Sequence, residues 1–317
     1  MQFVFGPVPS RRLGQSLGID PIPLKTCNWN CVYCQLGRTR PVTNARKDYF
    51  PPEAIFTEIQ AKVAAIAPAD IDWITFLGSG EPTLCISLGD LICNVKAITD
   101  LPVAVITNGS LLFLPEVRQG LMLADAVMPS LDAGTANLYR KINRPHPAVD
   151  FQRFIEGLIT FSAEYAGKLW VEVMLIQGLN DTESALKAIA SHMDEIKPDE
   201  VHLSTPTRPP AETWVQPPDD EGMLRARAIL GGNARILSPI KGSFDLGNYQ
   251  NVIDAIIAII TRHPMTEEEL VQTLDRWTAG EVNASLDKLI TSQRAQIIER
   301  YGTRFWSSAP AYYPDKN

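Results

Sequence analysis

The sequence predicts an α/β fold in which short buried strands alternate with helices. Brief apolar runs recur along the first two thirds of the chain, and most of them end in a polar or glycine-rich loop. Such runs are typical of strands that are buried on both faces of a parallel sheet and are separated by helices. Residues 1–210 contain about six strand–helix units, and this number matches a partial (β/α)6 TIM-like barrel.

The predicted elements follow one another in a regular order. The first strand, over 16–19, comes after a stretch whose proline and glycine residues argue against a helix. Helices are predicted where apolar residues recur at helical spacing, over 51–67, 88–98 and 182–196. The remaining strands of the barrel are predicted over 74–77, 103–106, 126–128, 169–175 and 201–204.

The pattern changes after residue 210. Residues 211–250 form a transitional segment, with a predicted helix over 219–230 and a predicted strand over 234–237. Residues 251–317 contain three predicted helices, which start near Val252, Thr266 and Thr278, and a predicted hairpin over 295–307. Three helices and a hairpin indicate a winged-helix domain. We expect this domain to recognise a partner or substrate and the barrel to carry the chemistry.

Three cysteines, Cys27, Cys31 and Cys34, lie within eight residues of one another in the loop after the first predicted strand. An iron–sulfur cube is normally held by four thiolates, so three would leave one iron open to another ligand. The alternatives are a zinc site, a disulfide or packed thiols. Zinc usually takes a fourth Cys or His, but the nearest histidine, His146, is more than a hundred residues away. The spacing therefore favours a [4Fe–4S] cluster.

The other two cysteines, Cys85 and Cys93, lie after a turn and within a predicted helix. We expect both to be buried thiols, since free cysteine behaves as a small apolar residue.

Polar residues follow several of the predicted strands. The loop after the strand over 74–77 contains Gly78, Gly80 and Glu81. Its glycines allow a close approach of the backbone to a ligand, and its carboxylate can accept hydrogen bonds from an ammonium group. The next two strands are followed by Asn108 and by Ser130 and Asp132. A turn or capping role is the alternative for each residue, but sites in such sheets collect at the carboxyl ends of the strands.

These motifs occur in the same order as in the radical S-adenosylmethionine (SAM) superfamily. The sequence resembles the iron–sulfur oxidoreductase group related to the tRNA wyosine-base synthase in residues 5–12, the cysteine loop and the segments 78–83, 107–109, 130–132 and 141–145. The chain lacks the extra cysteine set that the wyosine synthase uses for a second cluster.

The resemblance also implies how the cofactors are held. The amino and carboxylate groups of SAM would chelate the open iron, and the loop containing Glu81 would grip the amino group. Ser130 and Asp132 would contact the ribose, and Asn108 is a second candidate for SAM contact. Tyr33 would pack on the adenine, although a tyrosine of the protein core is the alternative.

The function that the resemblance implies is reductive cleavage of SAM to a 5′-deoxyadenosyl radical, which abstracts a hydrogen from an unidentified substrate. The electron would come from a reductant such as a flavodoxin or ferredoxin, and the substrate would be a small molecule, RNA or a protein. Two alternatives are tRNA or nucleotide base modification of the wyosine type and a redox-sensing winged-helix regulator that carries the cluster.

The charge distribution bears on the partners. The net charge is −7, and residues 264–317 contain eight acidic and six basic residues. Readers of DNA are usually basic, so DNA is an unlikely partner. Residues 1–50 have the opposite balance, with seven Lys or Arg against two Asp. No apolar run reaches the length of a membrane span, so we expect a cytoplasmic protein without a membrane partner.

Overall fold

The computed structural model describes residues 3–67, 70–237 and 249–314. It contains an eight-stranded sheet in the sequential order β1 to β8 and a separate two-stranded sheet. The strands of the large sheet are β1 (Val4–Ser10), β2 (Gly14–Ile19), β3 (Trp73–Phe76), β4 (Val103–Ile106), β5 (Ala126–Met128), β6 (Lys168–Met174), β7 (Glu200–Ser204) and β8 (Ala234–Ile236). The helices that accompany it are α1 (Pro52–Ala65), α2 (Leu88–Ile98), α3 (Pro115–Leu121), α4 (Ala136–Ile142), α5 (Phe151–Glu164), α6 (Glu183–Ile196) and α7 (Asp220–Leu230).

Strands β2 to β8 are parallel, and each pairs with its neighbours in sequence. β1 and β8 are the two ends of the sheet, so the sheet is open, as in a partial barrel. The predicted α/β fold with a parallel sheet is therefore confirmed. Since the strands run in one direction, the loops that follow them lie at one edge.

The sequence analysis did not predict strand β1. β1 pairs antiparallel with β2 and lies at the edge of the sheet. It contains Pro7 and Pro9, and proline is tolerated in edge strands because part of their backbone needs no partner. The helices α3, α4 and α5 were also not predicted, although α5 has an N-cap, Asp150, whose side chain accepts a hydrogen bond from the backbone N–H of Arg153.

The two faces of the sheet have different neighbours. Val103 and Val105 of β4 belong to the large core that the helices cover. Ala104 belongs to a smaller cluster with Leu13 and Trp170. Because successive side chains of a strand point to opposite faces, this smaller cluster fills the inside of the open barrel.

The C-terminal unit has its own core. It comprises α8 (Val252–Arg262), α9 (Glu267–Thr273), α10 (Ala279–Thr291), β9 (Ala295–Arg300) and β10 (Thr303–Ser308). Thr266 and Thr278 form the capping boxes of α9 and α10 with Glu269 and Glu281. The winged-helix assignment of this unit stays a prediction.

The transitional segment contributes α7 and β8 to the barrel, so the sheet continues past residue 210. Residues 238–248 of this segment lie outside the described residues, and the proposed domain boundaries stay predictions. In the parts of the chain that the structure describes, no helix has the length and apolar character that crossing a membrane requires.

Candidate active site

The cysteine loop follows β2 and lies at the carboxyl edge of the sheet. Cys27, Cys31 and Cys34 are each partly exposed. The backbone of Val32 donates a hydrogen bond to the carbonyl of Ile142, 2.9 Å away, and this contact fixes the loop to the end of α4. The loop thus presents three thiols from a short segment with a defined conformation.

Each sulfur has a hydrogen-bond donor beside it. Lys25 Nζ is 3.2 Å from Cys34 Sγ. Asn108 Nδ2 is 3.8 Å from Cys27 Sγ, and Asn143 Nδ2 is 3.8 Å from Cys31 Sγ. Donors of this kind stabilise sulfur that carries negative charge and tune the potentials of iron–sulfur clusters.

The thiols do not ionise readily by themselves. Burial, with a contribution from the nearby Glu81, raises the pKa of Cys27 to about 12. Burial and the neighbouring Cys27 raise the pKa of Cys31 well above its ordinary value. Thiolates form at such sites when a metal replaces the proton. Three thiols on one loop, with donors directed at them, fit the ligand set of an iron–sulfur cluster. A site for a single metal ion would need three or more Cys, His, Asp or Glu side chains close together, and the described ranges contain no such group.

The loop after β3 packs directly against the start of the cysteine loop. A Cβ atom on Gly80 would lie 1.9 Å from the carbonyl oxygen of Thr26, so no side chain fits at this position. The backbone N–H of Glu81 donates to the same carbonyl, 2.9 Å away. Gly78 is confined as well, because its Cβ would lie 2.9 Å from the carbonyl oxygen of Gly80. Gly80 therefore allows the two loops to touch, and Gly78 allows the β3 loop to fold tightly on itself.

Glu81 is buried, with 1% of its surface exposed. Its Oε1 accepts hydrogen bonds from the backbone and hydroxyl of Thr83 and from the Thr107 hydroxyl, and its Oε2 accepts one from Asn108 N, 2.7 Å away. Burial raises the pKa of this carboxyl, and the hydrogen bonds oppose that rise. A carboxylate has about four acceptor positions, so an ammonium group would have to approach the remaining side of Oε2. Sequence reasoning missed this bracing of the β3 and β4 loops.

Asn108 connects the β4 loop to the cysteine loop. Besides its contact with Cys27, its Nδ2 donates to Asn28 Oδ1 over 2.8 Å. Its Oδ1 accepts from the backbone N–H of Ser110 over 2.9 Å. The structure thus places Asn108 between the cysteines and the loop that contains Glu81, and its contact with SAM stays a prediction.

Asp132 is the centre of a second buried network. It accepts hydrogen bonds from the Tyr33 hydroxyl at 2.6 Å, from Asn143 Nδ2 at 2.7 Å and from Met174 N at 2.8 Å. Burial raises its pKa to about 6. Asn143 joins this network to Cys31 and had no role in the sequence analysis, although it lies in the 141–145 segment that carried the resemblance.

Ser130 differs from Asp132 in being partly exposed. It forms an isolated parallel bridge with Glu172 of β6, so its position is next to the interior of the barrel. The structure therefore brings the predicted residues of β3, β4 and β5 to the same edge as the cysteine loop.

The two remaining cysteines are separate from this site. Cys85 is buried, as predicted. The prediction for Cys93 is wrong, because this residue is exposed on α2. Its helix buries Leu91, Ile92 and Val95, and position 93 lies off that face.

Comparison with known proteins identifies the family. The model of the radical SAM superfamily matches residues 22–189. A UPF0026 protein of Methanocaldococcus jannaschii is 37% identical over 281 residues, which cover 87% of each chain. A protein of Brachyspira hyodysenteriae named GTPase Obg is 39% identical over 296 residues, which cover 92% of this chain. The chain spans only 43% of the length of that relative.

A solved structure shows the same fold at low sequence identity. Streptococcus suis SuiB bound to S-adenosylmethionine has a TM-score of 0.51 and 15% identity, over 70% of this chain and 51% of SuiB. The sequence match over more than half of the chain carries the assignment. The chain belongs to the radical SAM superfamily, whose enzymes use a [4Fe–4S] cluster and S-adenosylmethionine.

Proposed function

We propose that this enzyme binds one [4Fe–4S] cluster through Cys27, Cys31 and Cys34 and cleaves SAM reductively to generate a 5′-deoxyadenosyl radical. The observation that carries the proposal is the convergence of the three thiols with the loops that contain Glu81 and Asp132. Asn108 and Asn143 donate hydrogen bonds from these loops toward Cys27 and Cys31. A cluster and a cosubstrate that must touch each other need such a shared site.

The proposed reaction has two steps, a one-electron reduction of SAM and the transfer of a hydrogen atom from the substrate. One electron from an external reductant breaks the C5′–S bond of the sulfonium and gives methionine and the adenosyl radical. The radical then removes a hydrogen atom from the substrate and becomes 5′-deoxyadenosine. We propose a flavodoxin or ferredoxin as the reductant.

SAM would occupy the side of the cysteine loop that faces the carboxyl ends of β3 to β5. We assign its amino group to the Gly78–Gly80–Glu81 loop, its ribose to Ser130 and Asp132, and its adenine to Tyr33. Asn108 would contact SAM and orient the cysteine loop. Because Tyr33 donates to Asp132, the two groups that would hold the nucleoside also position each other.

The alternatives have less support in this chain. A second cluster of the wyosine type would need additional cysteines outside the cysteine loop. Cys85 and Cys93 are the only other cysteines in the sequence. A regulator that binds DNA would need a basic C-terminal unit. In this chain the C-terminal unit has more acidic than basic residues.

Anaerobic reconstitution with iron, sulfide, SAM and dithionite tests the proposal. Wild-type protein should yield 5′-deoxyadenosine and methionine in equal amounts. Replacing Cys27, Cys31 and Cys34 together by alanine should remove the iron and the product, whereas Cys93→Ala, a thiol on the exposed side of α2, should remove neither. Iron retained by the triple variant would refute the ligand assignment.

A further inference from the structure

A charged group occupies the inside of the open barrel. Arg12, in the turn between β1 and β2, forms a salt bridge with Glu172 of β6. Ser204 of β7 also donates to Glu172 Oε1, 2.7 Å away. Glu172 is two residues from Trp170 on the same strand, so both side chains point to the inner face. The side chains of Arg12 and Glu172 keep only 14% and 15% of their surface exposed.

This pair leaves one donor unused. The Nε of Arg12 is buried and has no hydrogen-bond partner among the described residues. A buried N–H without an acceptor costs stability, so such a donor commonly marks a position where a ligand or water supplies one. Ser130, which is assigned to SAM, pairs with Glu172 through the backbone, so the Arg12–Glu172 pair lies on a strand next to the proposed SAM site.

Arg11 adds a cation next to this donor. Its Nη2 donates to the Thr207 hydroxyl over 2.7 Å at a solvent-accessible position. Thr207 is neutral, and no salt bridge of Arg11 occurs within the described part of the chain. Burial and the neighbouring cations Arg12 and Arg208 lower the pKa of Arg11, while Glu172 partly compensates. The guanidinium is therefore crowded by positive charge and lacks an anion of its own.

The two arginines next to Arg11, Arg12 and Arg208, do have carboxylate partners. Arg208 Nη1 is 2.7 Å from Glu269 Oε2 and 3.1 Å from the carbonyl oxygen of Pro264. These contacts tie the loop after β7 to the C-terminal unit. The hydroxyl of Thr207, next to Arg208 in the same loop, holds Arg11 at the rim of the barrel, so the orientation of Arg11 is set before any ligand arrives.

We propose that Arg11 and Arg12 bind a carboxylate or phosphate group of a small-molecule substrate at the inner rim of the barrel, with Arg208 adding positive potential. This inference rests on the proposed function, since it places the anion beside the residues assigned to SAM. Guanidinium groups pair with both oxyanions through two parallel hydrogen bonds. A site enclosed by the barrel suits a small molecule better than a folded macromolecule.

Titration calorimetry of the cluster-loaded full-length protein tests this site with two probes, inorganic phosphate and malonate, in a chloride buffer of low ionic strength. At least one probe should bind to the wild type. Arg11→Gln should weaken that binding by about tenfold or more, since a charge-assisted hydrogen bond is lost. Arg11→Lys keeps the charge but loses the planar guanidinium that can form two parallel hydrogen bonds, so it should have an intermediate affinity.

Arg140→Gln is the matched control, because Arg140 is an exposed arginine of α4, and it should bind the probes as the wild type does. Tighter binding of phosphate would indicate a phosphate ester as the substrate, and tighter binding of malonate a carboxylate. Binding of neither probe, or unchanged binding in Arg11→Gln, would overturn the inference.

Two further results separate this inference from the proposed function. If Arg11→Gln loses SAM affinity and keeps its affinity for the probes, Arg11 contacts the SAM carboxylate and the inference fails. If the wild type binds a probe through Arg11 but forms no 5′-deoxyadenosine, the anion site stands and the proposed function fails.

Discussion

Tyr313, near the C-terminus, donates a hydrogen bond from its hydroxyl to the backbone carbonyl of Gln35, the residue after Cys34. The side chain of Gln35 in turn donates to the carbonyl of Arg262 over 2.8 Å. The backbone N–H of Arg38 donates to the carbonyl of Tyr312, 2.7 Å away. The C-terminal unit therefore packs against the cysteine loop, and its role in recognising a partner or substrate stays a prediction.

Tyr313→Phe should weaken the attachment of the cysteine loop. Loss of one hydrogen bond that leaves a part-buried carbonyl without its partner costs about 1–3 kcal/mol. We expect a lower melting temperature and a faster loss of cluster absorbance in air. Tyr312→Phe removes the same atom from the neighbouring residue, which is 44% exposed, and should change neither quantity. Equal behaviour of the two variants would contradict the bracing role.

Gly80→Ala should disrupt the junction of the β3 and cysteine loops. The new methyl group would lie 1.9 Å from the Thr26 carbonyl oxygen, and backbone atoms cannot move aside cheaply. We expect a loss of iron after reconstitution and a clear loss of stability. Gly280→Ala, in α10, meets nothing within 4 Å and should stabilise the protein by up to about 1 kcal/mol. Full iron content in Gly80→Ala would show that the junction is adaptable.

Glu81 could serve SAM directly or through its bracing of the loops. Glu81→Ala should lower SAM affinity about ten- to a hundredfold, because charge-assisted hydrogen bonds are lost. Thr107→Val keeps the carboxylate but removes the hydroxyl that joins it to the β4 loop. If Glu81 contacts the SAM amino group, Thr107→Val should lose much less affinity in equilibrium dialysis. Similar losses in both variants would assign Glu81 to bracing only.

Asp132 should make stability depend on pH below neutrality. Its pKa rises from the ordinary value of 3.8 to about 6 in the folded protein. The folded state therefore holds a proton that the unfolded state releases between these two values, and ionisation of Asp132 destabilises the fold as pH rises through that window. Well below pH 3.8 this penalty is absent, and above pH 6 it approaches about 3 kcal/mol.

Urea unfolding of the cluster-free protein at pH 4.5 and pH 7 checks this sign. The stability of the wild type relative to Asp132→Asn should increase at the lower pH, because the asparagine has no proton to gain. Asp90→Asn, which removes an exposed carboxylate of α2, should show no comparable change. If the stability of the wild type relative to Asp132→Asn instead increased toward pH 7, the raised pKa of Asp132 would be contradicted.

The features that the sequence predicted correctly are those encoded by neighbouring residues. The strands β2 to β8 show as apolar runs, and the capping boxes at Thr266 and Thr278 are local patterns of four residues. The three cysteines likewise share one short loop. The edge strand β1 was missed because its prolines mask the strand pattern, and proline is compatible with a strand only in an edge position that the sequence does not reveal.

The contacts that complete the site depend on the tertiary structure. Tyr33 meets Asp132 across 99 positions, Arg12 meets Glu172 across the barrel, and Tyr313 meets Gln35 across 278 positions. No local pattern encodes these pairs, because each depends on how the strands are ordered and on which face of a strand a side chain occupies. The cysteines that we propose as cluster ligands could thus be named from their spacing alone. Which donors face the sulfurs, which carboxylates already accept hydrogen bonds and that Arg11 forms no salt bridge with a described residue were decided only by the folding of distant segments onto one edge of the sheet.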